Sequence, residues 1–162
     1  MFLITSGLGS DSLITQGFSV GSPPTFQATL FDVALQTYLV SALGMPVWSD
    51  VIPQNNQDYP QLVYTIVYDP PYDTIDAAAG LSTTDVQIDI WGPSYLAVDQ
   101  TEEALRQVLE GYQGLMGDEL ISSVEYVDAS DDYEASPIPS DNGFYRKMTE
   151  WTFIRAETIP SF

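Results

Sequence analysis

The side chains that could do chemistry in this sequence are almost all carboxylates. The 162 residues include 23 Asp and Glu but only four Lys and Arg, and they include no histidine and no cysteine. Those two missing residue types supply the commonest general base, the thiol nucleophile and most zinc ligands. Serine–histidine and cysteine–histidine mechanisms are therefore excluded, and any reaction would depend on carboxylates, tyrosines or one of the few cations.

Four acids stand close together near the C-terminal third of the chain: Asp128, Asp131, Asp132 and Glu134. Carboxylate oxygens are the ligands that Ca²⁺ prefers, but an EF-hand loop also needs a central glycine and a glutamate at its twelfth position. This spacing has neither. A solvated acidic loop is the simpler interpretation, and we expect no metal ion and no other cofactor.

A second group of acids, Asp69, Asp73 and Asp76, could form a carboxylate acid–base pair. Any acidic protein offers such pairs, so the spacing alone does not indicate a catalytic site. Arg146 and Lys147 are adjacent on a predicted strand, where neighbouring side chains face opposite sides. They cannot form one basic patch, and we expect them to pair with carboxylates. The sequence therefore predicts a protein that is not an enzyme.

The formal net charge of −19 limits the possible partners. A protein that binds duplex DNA places Lys and Arg against phosphates, which this chain cannot do on any sizeable scale. A strongly acidic surface keeps a protein soluble and repels polyanions. The charge indicates either a simple solvated surface or a surface that nucleic acid passes without adhering. No apolar run approaches the roughly 20 residues that span a bilayer, so no membrane association is expected.

The clearest structural signal lies in residues 83–112. Val86, Ile88 and Ile90 alternate with polar residues, as in a strand with one buried face. Gly92-Pro93 ends this strand, and Ser94 is typical of a helix N-cap. The helix that follows has one apolar stripe, formed by Val98, Thr101, Leu105, Val108, Leu109 and Tyr112.

The remaining elements complete an α+β domain. An earlier helix is predicted over 26–40, and further strands over 47–52, 62–68, 122–128 and 144–156. This order predicts a mostly antiparallel four- to five-stranded sheet with two helices packed on it. Residues 1–22 are rich in glycine and predict an extended arm, either frayed or ordered against a partner, which leaves 23–162 as the single domain.

The first helix carries more apolar surface than one core needs. Its main stripe is predicted to be Phe26, Leu30, Val33, Ala34 and Thr37. A second apolar strip beside it consists of Phe31, Leu35 and Tyr38. This strip is explained either by deep burial within the domain or by a contact between subunits, and we assign it to the subunit contact.

Three stretches and the order of the elements resemble the tail-completion, or tail-terminator, family of long-tailed bacteriophages. They are YPQLVYTIV (Tyr59–Val67), the strand, Trp-turn and helix of Val86–Leu109, and the closing strand that contains Arg146. The resemblance covers residues 25–157. It implies a virion protein, assembled in the host cytoplasm, that forms a homohexameric ring in the neck of the particle. Such a ring caps the tail tube, stops its polymerisation and meets the head connector, while DNA passes through without specific binding.

On this resemblance, two long segments, the Ala- and Gly-containing Tyr72–Ser82 and the polar Ala129–Gly143, become docking loops for the tube and the connector, since long loops tend to be functional. The candidate contacts are Tyr72, Asp73, Asp76, Asp131, Asp132, Tyr133 and Glu134. Six copies would carry a formal charge of about −114, six times −19, and an acidic lumen would discourage phosphate adhesion. The alternative class is a calcium-dependent, carboxylate-based binding module or enzyme.

Overall fold

The computed structural model of the chain describes residues 30–54, 56, 58–69, 71–73, 78–135 and 143–156. Its elements are α1 (Phe31–Leu43), β1 (Val47–Ser49), β2 (Gln61–Tyr68), β3 (Pro71–Asp73), β4 (Ala78–Gly92), α2 (Tyr95–Leu109), β5 (Gly114–Met116), β6 (Glu119–Glu134) and β7 (Phe144–Ala156). The α+β class is confirmed. The predicted arm, residues 1–22, lies outside the described part of the chain.

The strands of the described residues form one seven-stranded sheet, which exceeds the four or five predicted. Its order is β1-β2-β4-β7-β6-β5, with the short β3 also paired to β4. Every neighbouring pair is antiparallel except β1 and β2, which are parallel. The last strand, β7, therefore lies in the middle of the sheet, between β4 and β6.

Both helices pack on the same face of this sheet. Alternate residues of the two central strands point towards them, as a period of two requires. The largest are Ile88 on β4 and Trp151 and Phe153 on β7, each no more than 1% exposed. The helices contribute Leu35, Leu39, Leu105 and Leu109, all 0% exposed. The core is thus a single layer between the helices and one side of the sheet.

The turn from β4 into α2 forms as its sequence predicts. The Oγ atom of Ser94 accepts a hydrogen bond from the backbone N–H of Ala97 at 3.2 Å, which caps the helix. A Cβ atom at Gly92 would lie 2.8 Å from Cγ2 of Val98, so only glycine allows this close approach of strand and helix. The predicted apolar stripe is confirmed, with Val98 1% exposed and Thr101 4% exposed.

The buried side of α1 is largely not the one predicted, and of the predicted core stripe only Ala34, 2% exposed, is buried among the described residues. Phe31 and Leu35, assigned to a subunit contact, are 5% and 0% exposed and belong to the chain's own core. Tyr38 packs against that core, and its hydroxyl donates to the carbonyl of Val108 at 2.9 Å. The outward side carries the predicted core residue Val33 instead. Both strips are apolar, so hydrophobicity alone could not rank them.

The described residues of the two segments predicted as long loops are largely strand. β3 and β4 extend through much of Tyr72–Ser82, and β6 continues to Glu134. Neither segment shows the apolar alternation of a half-buried strand, and this misled the prediction, because such strands still pair through their backbones. Asp76 lies outside the described residues. Neither helix described here is long and apolar enough to cross a membrane.

Candidate acidic face of the sheet

The side of the sheet that the helices leave uncovered carries a group of carboxylates. Partners in the strand register share a face, so the pairs Asp89↔Met148 and Asp85↔Thr152 identify the residues that point away from the helices. The carboxylates on this side are Asp85, Asp89, Glu125, Asp128, Asp132, Glu134 and Glu150. We call this side the acidic face.

A β-bulge brings the acids of β6 to one side. Before the bulge, Glu125 pairs with Thr152, and after it Asp128 pairs with Glu150 and continues the same face. The register shifts between Tyr126 and Asp128. Without this extra residue, the alternation of side chains would turn Asp128 towards the helices. The bulge therefore assembles the acidic face from residues that simple alternation would divide.

The acidic face is concave at its centre. A cavity of about 200 Å³ extends from Val67 on β2 to Val127 on β6, with Asp85 and Glu150 between them. These outer residues belong to strands three positions apart, or about 14 Å in a flat sheet. One cavity reaches both because the sheet curls. Two of the seven carboxylates, Asp85 and Glu150, line this hollow.

One cation, Arg146, lies on this face, and it is already neutralised. Its Nη2 atom is 2.5 Å from Oδ2 of Asp89, and its guanidinium group lies 5.3 Å from the centre of the Trp91 ring. The amide of Gln87 donates to the other oxygen of Asp89 at 2.8 Å. No Lys or Arg pairs with the other six carboxylates of the face in the described part of the chain. The acidic face thus has a single sign of charge over most of its area.

On the opposite side, Lys147 ties α2 to the sheet. Its Nζ atom lies 2.6 Å from Asp99, 2.8 Å from Glu102 and 3.4 Å from Asp131. Burial alone would lower the pKa of Lys147, but these carboxylates raise it above its usual value. Burial would also raise the pKa of Glu102, but hydrogen bonds from Lys147 and Tyr126 lower it below its usual value. Lys147 and Arg146 pair with carboxylates, as predicted, although Lys147 does so in a nearly buried position.

Arg155 forms a similar cluster at the end of β7. Its Nη2 atom contacts both carboxylate oxygens of Asp69, at 2.7 and 2.8 Å, and Nη1 lies 3.4 Å from Glu119. Burial would raise the pKa of Asp69, but hydrogen bonds from Arg155 and Thr84 lower it. A carboxylate held in its charged form by an arginine is a structural anchor rather than a general acid. This position gives no support to the acid–base pair suggested for Asp69, Asp73 and Asp76.

The two predicted docking segments lie at opposite ends of the sheet. The β3–β4 hairpin, where Asp73 pairs with Ala78, is at one end. The β6–β7 hairpin, where Glu134 pairs with Phe144, is at the other. The 15 residues of β4 separate these ends by up to about 50 Å. The structure therefore does not bring the candidate docking residues together, and it describes the backbone but not the side chains of Tyr72 and Asp73.

At the second end, Asp131, Asp132 and Tyr133 alternate across β6. Asp131 lies on the helix side with Lys147, and Asp132 lies on the acidic face, so the pair cannot share one ion. In the part of the chain that the structure describes, no group of three or more His, Cys, Asp or Glu could hold a metal ion. The ring of Tyr133 is 4.9 Å from that of Tyr145. These contacts are those of a folded strand end.

Sequence reasoning missed four members of the acidic face, namely Asp85, Asp89, Glu125 and Glu150. A usable signal was present, because each occupies a polar position in an alternating strand. What could not be read is that these strands are close neighbours. The order β4-β7-β6 brings acids from three distant segments onto one surface.

No family model and no curated protein matches the sequence. Among solved structures, the fold is similar to that of a chain in the "Virion of native gene transfer agent (GTA) particle". The TM-score is 0.50 and the sequence identity is 11%, and the match covers 80% of this chain and 100% of that chain. At this sequence identity, the likeness concerns the fold alone.

Proposed function

We infer that this protein is a structural component of a phage-like virion, which forms a ring at the end of the tail tube. The ring ends tube polymerisation and joins the tail to the head connector while DNA passes through it. The proposal is supported by the resemblance of residues 25–157 to tail-terminator proteins and by the fold shared with a chain of a gene transfer agent virion.

The observation that carries the proposal is the acidic face. DNA that passes through a narrow ring meets its wall at short range, where exposed Lys and Arg would hold the phosphates. A concave wall of carboxylates without free cations repels them instead. We therefore assign the acidic face to the lumen.

The two hairpins suit a protein that has to meet different partners on its two rims. They lie at opposite ends of the sheet, so one can contact the tube while the other contacts the connector. We assign Tyr72 and Asp73 to one rim. Asp132, Tyr133 and Glu134 belong to the other.

The outward stripe of α1 is the surface proposed for contact with a neighbouring subunit. Leu30, Val33 and Val40 are 69%, 48% and 43% exposed and follow one another at helical spacing. An exposed apolar stripe of this kind is typical of a surface that another protein covers. It replaces the buried strip of Phe31, Leu35 and Tyr38 in this role.

The test is to mix the purified protein with tail tube protein during tube assembly. When the protein is analysed alone or together with tube protein, light scattering on a sizing column should give the mass of a closed oligomer. Electron microscopy should show this oligomer at the ends of the tubes. Tubes should become shorter as its concentration rises. Tubes of unchanged length without bound protein would contradict the proposal, whereas a monomer in the absence of tube protein would not.

A further inference from the structure

One long side of β6 has no partner strand among the residues that the structure describes. β6 pairs with β7 over Ile121–Glu134, but its other side meets β5 only at Glu119, Leu120 and Ile121. The carbonyl of Val124 accepts a further bond from the N–H of Gly111 at 3.0 Å. From Glu125 to Glu134, no strand pairs with this side in the described part of the chain, and the N–H groups of Ala129 and Tyr133 donate only to the adjacent carboxylates of Asp128 and Asp132, at 2.8 Å. We call these ten residues the free edge.

An unpaired edge of this length is a template for another strand. Ten residues extend about 33 Å, whereas an average strand has only five or six residues. Beyond the bulge, the register to β7 runs without interruption from Asp128 to Glu134, so the edge is regular. Proteins often protect such edges with proline, charged side chains or a β-bulge. The free edge contains no proline, its bulge lies at its start, and its charges all have one sign.

The charge of the free edge selects its partner. It carries five carboxylates: Glu125, Asp128, Asp131, Asp132 and Glu134. A second copy would align carboxylates with carboxylates, which is unfavourable. The rest of the chain cannot supply the opposite charge, because all four Lys and Arg side chains are already ion-paired. Residues 1–29 and 157–162 contain no Lys or Arg at all.

We propose that the free edge of β6 binds an extended segment of a different protein that carries Lys or Arg, and that this segment joins the sheet as an additional antiparallel or parallel strand. Backbone hydrogen bonds hold the segment, and the carboxylates select it by charge. The same carboxylates discourage pairing between two copies of the chain. This inference stands apart from the proposed ring, since it needs only the free edge and the charges.

The probe is a synthetic ten-residue peptide of alternating Lys and Val, labelled for fluorescence anisotropy. Its matched control has the same sequence with alternate backbone nitrogens methylated, which keeps every charge but blocks strand pairing. We expect one peptide to bind per chain, and the methylated peptide to bind at least about tenfold more weakly through the loss of two or more hydrogen bonds. In hydrogen exchange, bound peptide should slow the amides of 125–134.

A pair of protein variants tests the part that charge plays. Asp128→Asn with Asp132→Asn removes two charges from the free edge and keeps the oxygens that accept the neighbouring N–H groups. We expect about two- to tenfold weaker peptide binding, the range for two exposed ion pairs. Asp58→Asn with Glu103→Gln removes two charges elsewhere and should leave the affinity unchanged.

Several outcomes would overturn the inference. Equal binding of the methylated peptide would mean simple attraction between opposite charges. An equal loss of affinity in the control variants would mean that the whole surface acts, and not the free edge. Slow exchange of 125–134 in the free protein would mean that another segment already covers the edge. That segment belongs to a second copy if the protection rises with protein concentration, and to this chain if it does not. A failed ring assembly would leave all these results unaffected.

Discussion

At the scale of single residues, Lys147 is the cation with the most partners. It joins two residues of α2, Asp99 and Glu102, to Asp131 on β6, and its own side chain is 11% exposed. We expect Lys147→Met to lower the free energy of unfolding by about 2–3 kcal/mol, because it leaves Glu102 nearly buried without a counter-charge. Urea denaturation at pH 7 measures this.

The control for Lys147 is Arg106, which pairs with Glu110 at the surface of α2 at 3.0 Å. Exposed pairs contribute little to stability, so Arg106→Met should change the urea midpoint only slightly. Equal effects of the two variants would show that the position of Lys147 between helix and sheet has no special importance.

Glu102 makes the stability dependent on pH. Its pKa is lowered in the folded state from a usual 4.5, so the unfolded chain takes up the proton first as the pH falls. The stabilisation is complete above about pH 4.5 and is lost as the pH falls through the lower, folded pKa. The advantage of the wild type over Glu102→Gln should therefore be present at pH 7 and shrink below pH 4.5. Urea titrations at several pH values test this, and a constant difference would contradict it.

The ion pairs show what a sequence reveals at this scale. Pairing of Arg146 and Lys147 with carboxylates follows from the excess of acids, and it was predicted. The partners were not predicted. The i,i+4 spacing on α2 favours a Glu102–Arg106 pair, whereas Glu102 bonds Lys147 and Arg106 bonds Glu110. The ion-pair partner of Glu102 is therefore determined by a contact between helix and sheet and not by its neighbours along the helix.

At the scale of elements, α1 offers a matched pair of substitutions. Leu35→Asp should prevent folding, because it places a charge in the core where the side chain is 0% exposed. Val33→Asp lies on the outward stripe and should change the stability by less than about 0.5 kcal/mol. It should nevertheless weaken self-association, measured by light scattering with tube protein. A Val33→Asp protein that assembles normally would remove the outward stripe from the proposed ring contact.

The elements that were predicted well have strong local signals. The strand at 144–156 has the bounds predicted for it, and α2 has its Ser94 cap and its apolar stripe. The missed part of β6, from Ala129 to Glu134, has no apolar alternation because both of its faces are largely exposed. Its strand form comes from pairing with β7, a contact that no local pattern contains.

At the scale of the whole molecule, the acidic face predicts an effect on DNA passage. In assembled particles, Asp85→Lys with Glu150→Lys should slow DNA ejection, most strongly at low salt, because two cations would then meet the phosphates. Asp58→Lys with Glu103→Lys changes the net charge equally on other surfaces and should leave the rate unchanged. Equal ejection rates in the two variants would argue against placing this face in the lumen.

The overall sheet could not be derived from the sequence. Composition and patterning indicate an α+β chain, but they do not place β7 between β4 and β6. That arrangement decides which acids become neighbours, because Glu150 and Asp128 come together only through the β6–β7 register. The net charge of −19 could thus be read from the sequence, whereas the grouping of seven carboxylates on one side of the sheet could not.

The positions of the four Lys and Arg residues also determine where trypsin can cleave this protein. Trypsin cleaves after Lys and Arg, and these residues lie only in α2 and β7, so no cleavage site precedes Arg106. Each site is held in regular structure and must open before it fits a protease cleft. The rate of tryptic digestion therefore reports the opening of α2 and of the central strand. Whatever the digestion time, the first 106 residues should survive as one fragment.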